Sequence, residues 1–401
     1  MNNQQLHSTP DLLVEAKKSI LFTTNRPDIV MEKGQGLFLW DTDGKKYLDF
    51  VGGWAVTSLG HSPTTIAQAL AKQSQLLVNA SPSFLNRPMI EYAKMLTDHS
   101  CLDRVFFASS GAEANEGAIK IARKYGEVAG TPKRYKIITL DHSFHGRTIT
   151  ALKATGQESM HNYFGPFPDG FVYAKTIDEI ESLIDDHTVA VMIELVQGEG
   201  GVQPQDRTKI QTLAAMLKAR DVLLMVDEVQ TGIYRTGEFL ASNLYGIEPD
   251  VITLAKGLGG GVPIGVVMTS KKDIFAPGDH GSTFGGNYLS TAAANEVLDI
   301  LEELKESGGL DEHLIYFETA LGKFANAHPA IFLSHVGLGM MRGLRVVDAD
   351  TLGKIINAAR EAGVIVLKAG RNTLRFLPPL TITKGDIDEG FARLEKAMAS
   401  L

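Results

Sequence analysis

Lysine is among the residues least often fully buried. Lys256 nevertheless closes an apolar run, Val251-Ile252-Thr253-Leu254-Ala255, and meets the glycine-rich bend Gly257-Leu258-Gly259-Gly260-Gly261. Two readings fit those residues alone. In one, the lysine stem lies along a sheet and its ammonium reaches water. In the other, partial desolvation keeps the amine reactive and able to form a Schiff base with an aldehyde. Residues elsewhere decide between them. Asp227 ends the run Val222-Leu223-Leu224-Met225-Val226. A carboxylate there is a capping or turn residue, or the counter-ion of a cation, since desolvation leaves it ionised only when paired. A protonated pyridine nitrogen is one such cation. Ser109-Ser110-Gly111-Ala112 follows a strand-like run and opens a helical pattern (Ala114, Ala118, Ile121, Ala122). Small residues at a helix N-terminus, which carries roughly half a positive charge, suit an anion such as phosphate. The serine also reads as an ordinary N-cap.

His142-Ser143-Phe144-His145-Gly146-Arg147 offers an aromatic that can stack on a flat ring, and an arginine with no acid at helical spacing, free to grip a carboxylate. Its two histidines lack a third ligand at metal-like spacing, so no metal site is expected. Neither the phosphate-loop pattern G-x-x-x-x-G-K-[ST] nor a dinucleotide fingerprint occurs. Schiff-base lysine, strand-end aspartate and phosphate nest together form the general pattern of pyridoxal phosphate chemistry. That conjunction favours the reactive reading of Lys256.

Five apolar runs must position these groups: Arg104–Ala108, Lys136–Leu140, Val189–Leu195, Val222–Val226 and Asp250–Ala255. Most precede a helical pattern, which predicts an α/β chain with a mostly parallel sheet. Ligands of such sheets gather beyond the strands' carboxyl ends, where Ser110, Phe144, Glu199, Asp227 and Lys256 all fall. Ahead of this region, a helical leader (Leu12, Leu13, Ala16, Ile20) and a hairpin around Asp43-Gly44 form an N-terminal segment, residues 1–60. The large cofactor-binding domain is expected over 61–300. A smaller α+β domain spans 301–401, with strands at Ile331–Val336, Met340–Val347, Val364–Leu367 and Thr373–Phe376 and a last helix from Asp386 to Leu401.

The 401 residues are 44% hydrophobic and 21% charged, an ordinary globular balance, and the net charge of −8 without a basic block argues against nucleic acid or an anionic membrane. Cys101 is the only cysteine, so no intrachain disulfide can form. The polar N-terminus lacks the apolar stretch of a signal peptide, and the longest uncharged run contains Gly52, Gly53, Gly60 and Pro63. A soluble cytoplasmic protein is expected.

Several motifs resemble the class-III aminotransferases of pyridoxal-phosphate fold type I, nearest the acetylornithine and ornithine branch. They are Tyr47-Leu48-Asp49-Phe50 with Leu59-Gly60-His61, Ser110-Gly111-Ala112-Glu113-Ala114-Asn115, Phe144-His145-Gly146-Arg147-Thr148, Gln197-Gly198-Glu199-Gly200-Gly201, Asp227-Glu228-Val229-Gln230-Thr231-Gly232, Ala255-Lys256, and Gly281-Ser282-Thr283-Phe284-Gly285-Gly286-Asn287. The resemblance implies that Lys256 carries the cofactor and moves the proton between substrate and cofactor, with Asp227 keeping the pyridine nitrogen protonated. Phe144 and Val229 cover the two ring faces, Ser110, Gly111 and Ala112 hold the phosphate, and Gln230 lies near the phenolic oxygen. Ser282 and Thr283 reach the phosphate of a neighbouring subunit, which implies a homodimer with shared sites. Arg147 and Arg375 take the substrate carboxylates, and Glu199 masks Arg375 while an ω-amino donor is bound. The implied reaction is ping-pong transfer of an ω-amino group from an acetylornithine-like donor to 2-oxoglutarate, giving a semialdehyde and glutamate, as in arginine biosynthesis. The same chemistry on 4-aminobutyrate, succinylornithine or a lysine derivative is the alternative, and a decarboxylase or aminomutase a more distant one. Trp54 departs from the family pattern: ornithine-specific members carry tyrosine there and acetylornithine members a smaller aliphatic residue.

Overall fold

A computed structural model describes residues 8–130 and 132–401. Residues 1–7 of the expected leader lie outside the described residues. The leader helix, Thr9–Ser19, is capped by Ser8 and buries none of its side chains.

The organising element is a seven-stranded sheet. Its strands run in the order Arg104–Ala108, Gly265–Thr269, Val251–Leu254, Leu223–Asp227, Thr188–Ile193, Lys136–Leu140, Phe171–Ala174. Only Gly265–Thr269 runs antiparallel to its neighbours; the pairs from Val251–Leu254 to Phe171–Ala174 are all parallel. Thr188–Ile193 and Leu223–Asp227 are buried at every position. Strands covered on both faces have no solvent side to carry alternation, hence their continuous apolar runs. The helix Gly111–Val128 lies on one face with Ala118, Ile121 and Ala122 inward, and Arg207–Ala219 packs on Leu223–Asp227 through Ile210, Leu213 and Leu217.

Three smaller sheets accompany the large one among the described residues: the antiparallel pair Val196–Gln197 and Gln203–Pro204, and two sheets of four strands. One of the four-stranded sheets is antiparallel: Phe332–Leu338, Met341–Val346, Thr373–Phe376, Leu367–Ala369. The other joins Met31–Gln35, Phe38–Asp41 and Lys46–Asp49 to Val364–Ile365, which adds in parallel to Lys46–Asp49. The stretch Val364–Leu367, expected as one strand, is therefore divided between two sheets. Four phenylalanines weld the chain's ends together: Phe50, Phe317, Phe376 and Phe391, with ring centroids 5.7–6.2 Å apart.

One local feature is unusual. Gly52, Gly53, Trp54 and Ala55 have successive φ values of 54°, 62°, 61° and 65°, a single left-handed turn. Such backbone costs about 1–2 kcal/mol at each non-glycine residue. Asp49 holds it, accepting from the N–H groups of Val51 and Gly52 through one oxygen and from His61 Nε2 at 2.8 Å through the other. Ser58 then ties the segment to the lysine loop, donating to Gly257 O at 2.9 Å. No helix among the described residues is long and apolar enough to cross a membrane.

Candidate active site

Beyond the carboxyl ends of the parallel strands lies a cavity of about 410 Å3. Lys256 enters it from the end of Val251–Leu254, at φ 49°, where a short 3-10 turn, Lys256–Gly259, reverses the chain. The glycines make the turn possible: a Cβ on Gly260 would lie 2.6 Å from Ile66 Cδ1. Burial pushes the ammonium pKa down, Asp227 and Glu199 oppose that shift, and Arg375 adds to it. The half-buried amine is thus held nearer the neutral form that attacks a carbonyl.

Asp227 closes its strand at 5% exposure. Its Oδ2 accepts from Asn115 Nδ2 and from His145 Nδ1, both at 2.8 Å, while Oδ1 accepts from Val229 N at 3.0 Å. Asn115 is itself fixed, donating to His145 O at 2.6 Å and accepting from Thr253 Oγ1 at 2.7 Å. Burial alone would hold the His145 imidazole neutral, but the hydrogen bond and charge of Asp227 and the charge of Glu194 push its pKa up. Sequence reasoning gave no role to Asn115, Thr253 or Glu194. Their signal was polarity within apolar runs, Asn115 beside Ala114 and Ala118, Thr253 inside Val251–Leu254. His142 and His145 do not act as a pair, since His142 is exposed and His145 is buried against Asp227.

Glu194 lines the cavity floor at 6% exposure, accepting from Phe144 N at 3.0 Å. Burial raises its pKa from 4.5 to about 7, opposed by the charge of His145 and reinforced by that of Asp227. The folded state keeps this proton where the unfolded chain has lost it, so stability falls as pH rises from about 4.5 to about 7. Denaturant melts of Glu194→Gln across the same pH range should lose that slope. An identical slope in the variant would assign the loss to another group.

Small residues and a helix end shape the opposite wall. Ser110 caps the helix Gly111–Val128, its Oγ accepting from Glu113 N at 3.2 Å, and Ser110, Gly111 and Ala112 all line the cavity. The N-cap reading of this serine is therefore what the structure shows, and the cap stands on the cavity wall. Neither approach tolerates a side chain: a Cβ on Gly111 would lie 2.8 Å from Val229 Cγ1, and one on Gly146 2.9 Å from Ala112 Cβ. Phe144, Val229 and Gln230 supply further wall, and the buried Gln230 Oε1 has no hydrogen-bond partner. Arg147 is exposed at the rim, its guanidinium 5.5 Å from the Phe144 ring centre.

Glu199, also lining the cavity, accepts from Arg375 Nη1 at 2.6 Å. Arg375 is 1% exposed, and its Nε has no partner. Arg375 does not itself line the cavity and is joined to it through Glu199, and three further expected site residues stand apart. Trp54, 46% exposed on the left-handed turn, does not line it, although Val56 does. Ser282 and Thr283 line a separate cavity of about 560 Å3 with Asn86, Phe107 and His280.

A phosphorylated pyridine aldehyde fits what is present: an amine for its aldehyde, a buried carboxylate for its ring nitrogen, a glycine-lined helix N-terminus for its phosphate, and an unpartnered amide on the wall. Known proteins agree with that fit. The family described as aminotransferase class-III matches residues 22–398. A protein named acetylornithine aminotransferase from Wolinella succinogenes is 56% identical over 96% of this chain and 98% of its own length. Among solved structures, the ornithine aminotransferase of Toxoplasma gondii is 31% identical with a TM-score of 0.92, covering 99% of this chain and 96% of that one. The N-acetylornithine aminotransferase of Stenotrophomonas maltophilia is also 31% identical, with a TM-score of 0.82 over 97% of this chain and 98% of its own. This chain belongs to the class-III aminotransferases, pyridoxal-phosphate-dependent transaminases of fold type I.

Proposed function

We infer that the enzyme moves the terminal amino group of an N-acetylornithine-like donor to 2-oxoglutarate. The observation that carries the two-substrate reading is Glu199 on the cavity wall, paired at 2.6 Å with the buried Arg375 behind it, with Arg147 at the rim. A donor entering amine-first brings no carboxylate to Arg375, whose buried charge then needs Glu199. 2-Oxoglutarate brings its own carboxylate, so Glu199 must give way. Its side chain is 31% exposed and free to move, unlike that of Arg375. Arg147 takes the carboxylate at the other end of either substrate. The donor assignment draws on the 56% identical relative and its name.

Bound pyridoxal phosphate supplies an electron sink for the carbon that loses its proton. With the cofactor bound, Lys256 would hold that proton at Nζ and Asp227 would offer its carboxylate to the ring nitrogen. Asn115 and His145 orient Asp227, while Phe144 and Val229 would exclude water from the ring. Ser282 and Thr283, remote from Lys256 in their own chain, serve a second copy in a homodimer. The proposed setting is cytoplasmic amino-acid metabolism.

The test is spectral. Holoenzyme is mixed separately with N-acetylornithine, ornithine, 4-aminobutyrate and lysine, then with 2-oxoglutarate. Bleaching of the visible band by N-acetylornithine, reversed by 2-oxoglutarate, is expected. Bleaching by another donor alone would move the assignment to that donor. In Glu199→Ala, kcat/KM for the ω-amino donor should fall about tenfold relative to that for glutamate, the loss of one charged hydrogen bond. An equal fall for both would remove the gating role.

A further inference from the structure

Outside the cavity, two guanidinium groups converge on one neutral oxygen. Arg345 Nη2 donates to Gln203 Oε1 at 2.9 Å, and Arg371 Nη1 reaches the same atom at 3.4 Å. Arg345 is half-buried on the strand Met341–Val346, and its Nη1 donates to Thr373 Oγ1. Arg371 stands at the tip of the hairpin between Leu367–Ala369 and Thr373–Phe376, with φ 56°, followed by Asn372 at 49°. Burial and the positive charge of Arg371 push the Arg345 pKa down. Among the described residues no carboxylate forms an ion pair with either group. An amide oxygen shared between two cations satisfies hydrogen bonds but neutralises no charge. A carboxylate or phosphate supplies both several oxygens and the missing charge.

We propose that Arg345 and Arg371 form a binding site for a small phosphate- or carboxylate-bearing anion, which displaces Gln203 Oε1 and biases the Glu199–Arg375 pair. The connection is direct. Glu199 lies on the short loop between Val196–Gln197 and Gln203–Pro204, and Gln203 opens the second of those strands. Gly370, next to Arg371, donates its N–H to Glu199 O at 2.9 Å. A Cβ on Gly201 would lie 2.6 Å from Arg345 Nη1, so the loop backbone rests against this guanidinium. Thr373, which Arg345 also holds, begins the strand that carries Arg375. The bias on the pair rests on the gating role assigned to Glu199 above; the anion site does not.

Thermal melting of the holoenzyme, whose cofactor already fills the phosphate nest, tests the site without any substrate. Inorganic phosphate and citrate are titrated separately at ionic strength held constant with chloride, because screening alone moves surface charges. A saturable rise in Tm is expected in the wild type and not in Arg371→Asn, asparagine being tolerant of the left-handed backbone. Arg345→Gln should lose it too, but Arg371→Asn alone decides if that variant folds poorly. Response to phosphate only assigns a phosphate ligand; response to both assigns oxyanions generally. No rise with either probe, or an equal rise in wild type and Arg371→Asn, overturns the site. Saturating anion should also shift the KM for 2-oxoglutarate about fivefold in the wild type and leave it unchanged in Arg371→Asn. A constant KM beside an Arg371-dependent melting shift overturns the bias alone. Absence of transaminase activity with every donor would strike the gating role and leave the melting result standing.

Discussion

Lys256→Ala should lose turnover by roughly four orders of magnitude, since proton transfer by a positioned base contributes up to about that much. Folding should survive the change. Lys256 already sits at φ 49°, so alanine inherits the backbone cost without adding to it, and the lost stem spanned a cavity instead of packed core. Two measurements separate the chemical role from a structural one. After borohydride reduction, the intact mass of wild-type holoenzyme should carry the cofactor, and that of the variant should not. The melting temperatures of the two apo-proteins should agree closely. Turnover within tenfold of the wild type would remove Lys256 from the reaction.

Asp227→Asn is expected to lower kcat by about two to three orders of magnitude, the usual scale for removing one preorganised electrostatic contact. The substitution keeps the shape and fails on charge and donor count. One carboxylate oxygen accepts two hydrogen bonds and the other accepts one. An amide must turn its NH2 either toward Asn115 and His145 or toward Val229 N–H, leaving a buried donor facing a donor at about 1–3 kcal/mol. His145 also loses the partner that holds its pKa up. Stability, cofactor affinity and rate should therefore fall together, and the rate most. Calorimetry of reconstitution and single-turnover kinetics would report the three separately. A variant with wild-type kcat would show that Asp227 organises the cavity floor without acting on the ring nitrogen.

The strand-end groups were legible in the sequence because their signal is local. A lysine after Val251–Leu254 and an aspartate after Met225-Val226 break apolar runs where a parallel sheet places its ligands. Their support was not legible. Asn115, His145 and Thr253 gather around Asp227 from three elements, and single-residue polarity says nothing of which polar groups meet. Strands were found where burial on both faces makes them apolar throughout. The edge strand Phe171–Ala174 and the helix Arg87–Asp98, which buries only Tyr92 and Leu96, lack that uniformity. Val364–Leu367 read as one run, though Val364–Ile365 and Leu367 fall in different sheets, because membership of a sheet belongs to the partner strand. Trp54 could be seen as unusual, but Gly52 and Gly53 announced only a turn and not that Trp54 and Ala55 would share their left-handed backbone.

The hydrogen bonds of the site join residues far apart along the chain: Asn115 to Asp227 across 112 positions, Thr253 to Asn115 across 138, and Arg375 to Glu199 across 176. Contacts of such long sequence separation form late, after the entropy of closing those loops has been overcome. No fragment ending before Asp227 contains the carboxylate, and none ending before Arg375 can neutralise Glu199 through that partner. Cofactor capture by a nascent or partly folded chain is therefore expected to be negligible. Pyridoxal phosphate then acts on this protein as a ligand of the finished fold. It slows unfolding and leaves the refolding rate unchanged, a division that stopped-flow measurements with and without cofactor would resolve.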